Sequence, residues 1–153
     1  MNKHLVSAVG ILLVLGGCRD SNAPKNVIVT TVVTPGAFRA GTEVSVTVSV
    51  TNLDDRPYGV QFNRCPQAFE VTTLDGNLVG PARSLCNAVS EVRELAPGAQ
   101  YVFVHSWNGN GIGPDGSDNI LLPPGAYVLR GTVGVTGVSR LTKSGPIRII
   151  VTQ

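Results

Sequence analysis

The sequence has no concentrated block of basic residues and no catalytic signature. Twelve lysines and arginines and ten aspartates and glutamates are scattered over 153 residues. Nucleic-acid binding needs a cationic face, so the scatter argues against a nucleic-acid partner. There is no GxSxG nucleophile turn, no HExxH zinc motif and no phosphate-binding glycine loop. Histidine occurs only at His4 and His105, and none of the three cysteines forms a C-x-x-C pair. No metal site, no cofactor and no small-molecule substrate is therefore expected, and the chain reads as non-catalytic. The apolar stretch from Leu5 to Leu15 would reach about 17 Å as a helix, short of the ~30 Å bilayer core.

What that stretch does fit is the apolar region of an export signal, preceded by Lys3 and His4. It runs into Leu15-Gly16-Gly17-Cys18, with small residues just before the cysteine. "LGGC" resembles the lipobox of bacterial lipoproteins. The resemblance implies cleavage between Gly17 and Cys18, a thioether lipid on Cys18 and an acyl chain, such as palmitate, on the new amino terminus. Each buried methylene adds about 0.8 kcal/mol, so several chains on one residue make a durable membrane anchor. Residues 1–17 are then the signal peptide, and 18–26 a polar, proline-containing stalk. Arg19 follows the cysteine, where lipoproteins retained in the inner membrane tend to carry aspartate. The expected location is the bacterial cell envelope, lipid-anchored, at the outer membrane if the organism has two.

With Cys18 assigned to lipid, Cys65 and Cys86 remain as a single potential pair in an exported chain, where oxidation is permitted. A disulfide closing that loop would stabilise the fold by about 3 kcal/mol.

Residues 27–153 suffice for one domain with a real core. Over "TEVSVTVSVTN", Val44, Val46, Val48 and Val50 alternate with hydroxyl residues, the period of a strand buried on one face and wet on the other. "VIVTTVVT" is β-branched and stops at Pro35-Gly36. Asp75-Gly76 marks a hairpin turn, and "VSEVREL" reads as a further strand. "LAPGAQY" and "LPPGAYV" echo each other, each offering Pro-Gly for the centre of a type II turn. With a final arm "GPIRIIV", this predicts an all-β, immunoglobulin-like antiparallel β-sandwich of about eight to nine strands.

The order of these pieces across roughly residues 42–151 resembles the intracellular proteinase inhibitor (BsuPI-type) domain. The resemblance is carried by Asn52, Asp75-Gly76, Leu95 with Pro97-Gly98, Trp107, and Pro124-Gly125 with Tyr127. It implies an immunoglobulin-like sandwich and, by family name, inhibition of a serine peptidase. These are framework residues and bring no reactive-site residue with them.

Three further positions are candidate contacts for a protein partner. Arg83 in "GPARSLCN" would sit on a loop pinned by Cys86, the rigid presentation an inhibitor needs. Asp115 and Asp118 lie in the glycine-rich connector "GNGIGPDGSDNI", with too few carboxylates for a calcium cage. His105 adjoins Ser106, but neighbouring strand residues point to opposite faces, so a core or rim histidine is expected rather than a dyad. The resulting expectation is a lipid-anchored envelope binding module, with an envelope peptidase inhibitor as the alternative.

Overall fold

A computed structural model describes residues 26–63, 68–81, 90–136 and 141–153. Among them there is no helix, and thirteen strands form an all-β sandwich. Eight of these strands have five residues or more: β1 (Val27–Thr34), β3 (Val44–Asn52), β4 (Tyr58–Asn63), β5 (Phe69–Thr73), β7 (Ser90–Leu95), β8 (Gln100–Trp107), β11 (Gly125–Val135) and β13 (Ile147–Thr152). Short strands complete the set: β2 (Ala37–Arg39), β6 (Leu78–Gly80), β9 (Asn110–Ile112), β10 (Asp118–Leu121) and β12 (Thr142–Lys143).

One layer is the three-stranded sheet β1-β3-β8, antiparallel throughout. The facing layer runs β2-β13-β11-β4-β7 and is organised by β11, the longest strand. One edge of β11 takes β13 and then β12, and the other takes β5 and then β4. The pairing is not wholly antiparallel, because β2 runs parallel to β13, with Phe38 opposite Val151. A short segment leaving β1 can reach that edge only by crossing to the other sheet in its original direction.

The core lies between the layers. Val44, Val46, Val48 and Val50 of β3 are buried, as their alternation demands, and join Leu129, Val133, Ile149 and Val151 of the facing sheet. Each fully buried aliphatic side chain contributes on the order of 1.5–3 kcal/mol. The layers approach closely at Gly131, where a Cβ would collide with Thr31 Oγ1 and lie 2.9 Å from Val48 Cγ1. Ser144 seals the same spot: its hydroxyl accepts from Gly131 N–H at 2.9 Å and from the Thr31 hydroxyl at 3.0 Å.

Two Asp-Gly turns share one geometry. In Thr73–Asn77, Gly76 N–H donates to Thr73 O and Thr73 N–H to Asn77 O. In Gly113–Ser117, Gly116 N–H donates to Gly113 O and Gly113 N–H to Ser117 O. Gly76 and Gly116 have φ of 88° and 81°, so each closes a type I turn with a left-handed glycine at the bulge. The connector at 109–120 is accordingly not a loop but the β9–β10 hairpin.

The Pro-Gly echo resolves into two different structures. Gly98 has φ of 71° and Ala99 N–H donates to Ala96 O, as a type II turn requires. Gly125 is not in the left-handed region; it is the first residue of β11 and pairs with Val151. Extending the sheet wins there, and the corner is held by a side chain instead: Tyr127 donates its hydroxyl to Pro123 O at 2.8 Å. This is the tyrosine corner of immunoglobulin-like sandwiches. Burial raises the Tyr127 pKa, which keeps the phenol protonated as the donor.

Candidate functional site: an uncharged sheet face

Gly17, Cys18, Cys65, Arg83 and Cys86 lie outside the described residues. Of the expected contact residues, Asp115 and Asp118 are in view. Asp115 caps its own turn, its Oδ1 accepting from the Ser117 hydroxyl at 2.6 Å and from Ser117 N–H at 3.0 Å. Those bonds hold its pKa below the ordinary carboxylate value. Asp118 pairs with Ile112 at the base of the same hairpin. No group of three metal-ligating side chains occurs among the described residues.

His105 shares the inward face of β8 with Tyr101, Phe103 and Trp107, and Ser106 is exposed on the other face. Its ring stacks on Phe103 and tilts against Phe69, with centroids 6.5 and 6.1 Å apart. Its Nε2 is buried with no hydrogen-bond partner among the described residues. Desolvation lowers its pKa, so the neutral ring belongs to the fold. Trp107 meets Phe38 and Phe69 edge to face and donates Nε1–H to Asn110 O at 2.9 Å.

A groove of about 180 Å³ is lined by Phe69, Leu78, Pro81, Ile112 and Leu141 among others. It is smaller than the roughly 300–1,000 Å³ typical of ligand pockets. Its rim carries the ion pair of Lys143 with Glu70, at 2.8 Å to both carboxylate oxygens.

The most distinctive surface is the outer face of β1-β3-β8. Registers place four rows across it: Ile28-Thr51-Gln100, Thr30-Ser49-Val102, Val32-Thr47-Val104 and Thr34-Ser45-Ser106. None of the 25 residues of these three strands is Asp, Glu, Lys or Arg. Val104 is 68 % exposed, Val32 58 %, Val102 53 % and Ile28 46 %. By contrast, β7, at the edge of the other sheet, carries Glu91, Arg93 and Glu94. Strand spacing and rise make the neutral face roughly 14 Å by 24 Å, about 340 Å². Sequence alternation flags each strand's wet side; that three such sides form one neutral plane depends on strand order.

No family model matches the chain, and no curated protein matches it in sequence. Among solved structures, a β-glucosidase from Erythrobacter marinus shares 19 % identity over 83 % of this chain and 15 % of its own, with a TM-score of 0.45. The alkylpurine DNA glycosylase AlkC of Pseudomonas fluorescens shares 15 % identity over 83 % of this chain and 30 % of its own, with a TM-score of 0.47. The C-terminal domain of wzt shares 14 % over 84 % of this chain and 71 % of its own, also at 0.47. The chain thus spans only a small part of the two enzymes. Likeness at this level says nothing about activity.

Proposed function

We propose that this protein is a lipid-anchored binding or accessory module of the bacterial cell envelope, of BsuPI-like build. It is tied to the membrane through Cys18 and recognises a protein partner through the outer face of β1-β3-β8. The observation that carries the recognition part is that face: neutral over three strands, with four exposed aliphatic side chains. Interface cores are depleted of charge, and here the four aliphatic side chains lie among uncharged hydroxyl and amide residues. The tether rests on the LGGC sequence after a basic start and an apolar run. A disulfide between Cys65 and Cys86 belongs to the same reading, since the compartment permits it. No catalytic step is assigned to His105, whose Nε2 is enclosed and whose neighbour Ser106 faces away.

The test is recovery of partners from envelope extract by the mature protein and by Val104→Lys, with Val92→Lys as control. Val92 is 57 % exposed on β7, away from the neutral face. A partner retained by wild type and Val92→Lys but lost with Val104→Lys supports the reading. Equal retention by all three removes the face from it. If the recovered partner is a serine peptidase whose activity falls on binding, the inhibitor alternative implied by the BsuPI resemblance is favoured instead. Recovery of the natural product from cytosol, uncleaved and without lipid, ends the envelope assignment.

A further inference from the structure

The sandwich has two poles. At one lie Asn26, the end of β3 at Asn52, the turn Leu53–Pro57 and the turn Ala96–Ala99. At the other lie Thr34, Trp107, the start of β11 and the Thr73–Asn77 turn. The chain enters at the first pole and is fastened there. Asn26 donates Nδ2–H to Asp54 Oδ1 at 3.1 Å, and its carbonyl accepts from Leu53 N–H at 2.9 Å. Asp54 is itself held by the Tyr58 hydroxyl at 2.7 Å and by its own N–H on Asn52 Oδ1 at 2.9 Å. Asn52 is wholly buried, so this exit point is welded to the core.

Seven residues, 19–25, separate Cys18 from Asn26. Fully extended, that tether spans at most about 28 Å. β11, which runs from the Trp107 pole at Gly125 towards the Asn52 pole at Val135, alone measures about 33 Å. A tether leaving the Asn52 pole is therefore too short to run back along the body and bring the far pole down onto the lipid.

We infer that the Asn52 pole, led by Leu53 and the Ala96–Ala99 turn, faces the bilayer, and that the Trp107 pole points away from it. This rests on the lipid-anchor reading and adds orientation to it. The neutral face then runs along the membrane normal, open to a partner approaching from the side or embedded beside it. The Asp75 turn then lies on the outermost surface.

The experiment uses the full lipidated protein in vesicles of phosphatidylethanolamine and phosphatidylglycerol doped with a dansyl-labelled headgroup. Trp107 is the single tryptophan and serves as the built-in far-pole donor. Leu53→Trp and Leu74→Trp each add a second donor at an exposed leucine, 56 % and 61 % accessible, on opposite poles. Energy transfer to dansyl is expected to rise at least twofold over wild type in Leu53→Trp and to stay near wild type in Leu74→Trp. Equal transfer in the two variants, or more in Leu74→Trp, overturns the orientation. Mass spectrometry of the same preparation separates the two failures. A mature mass without lipid sinks the anchor reading, and the orientation with it; a lipidated mass with equal transfer sinks the orientation alone.

Discussion

Asn52 Nδ2 donates to Leu95 O at 3.0 Å, joining the end of β3 to the end of β7 in the opposite sheet. The same amide donates to Arg56 O at 2.8 Å, and its Oδ1 accepts from Asp54 N–H. One buried side chain therefore bonds three backbone groups, two of them in the turn that follows β3. Asn52→Ala removes all three bonds and is expected to cost about 2–4 kcal/mol in urea denaturation. Asn52→Asp should be no milder, because a carboxylate cannot donate to the two carbonyls. A loss below about 1 kcal/mol in either variant would show that the junction is held by something else.

The tyrosine corner offers a cleaner deletion. Tyr127→Phe keeps the ring and removes only the bond to Pro123 O. Equilibrium unfolding should register a loss of about 0.5–1.5 kcal/mol, the usual range for a single hydrogen bond, here a partly buried one. An unchanged midpoint would mean that the corner is set by Pro123 and Pro124 rather than by the phenol.

Acid should weaken the fold through His105. Burial depresses its folded pKa below the ordinary value of about 6.5, so below that value the unfolded chain binds a proton that the folded chain refuses. Its stabilising contribution is fully present above pH about 6.5 and is lost as pH falls towards the depressed folded pKa. His105 is the only histidine among the described residues, and the variant isolates its share of the effect. Unfolding free energies measured from pH 7.5 to pH 5 should decline in wild type and less steeply in His105→Leu. Parallel profiles would absolve the histidine.

Gly131 tests how tightly the layers meet. Gly131→Ala drives a methyl group into Thr31 and Val48 and is expected to cost about 1–3 kcal/mol as overpacking. Gly145→Ala, where a Cβ meets nothing within 4 Å, should fall within about 0.5 kcal/mol of wild type. Similar thermal shifts for both would argue against close approach at Gly131.

Much of the strand content was legible because period-two alternation reports directly on a two-sided sheet. Val44 to Val50 point inward as read, and Trp107, His105 and Tyr101 share one face. The turns were legible only where glycine takes positive φ: Gly76 and Gly98 conform, whereas Gly125 does not, because pairing with Val151 overrides a local preference. The connector at 109–120 looked like a loop, since four glycines mask the short hairpin they allow. The neutral face was not visible as a site, for each of its strands looks ordinary alone.

By itself the chain's order of residues determined that strands form, which side of each is buried, and the short distance from Cys18 to the first strand, because these depend only on local periodicity and chain length. Only the tertiary structure decided that β1, β3 and β8 lie side by side as one charge-free plane, that Asn52 bridges the sheets, and that Asn26 lies at the Asn52 pole. Those are relations between residues tens of positions apart, set by strand order and register, which a local pattern does not encode.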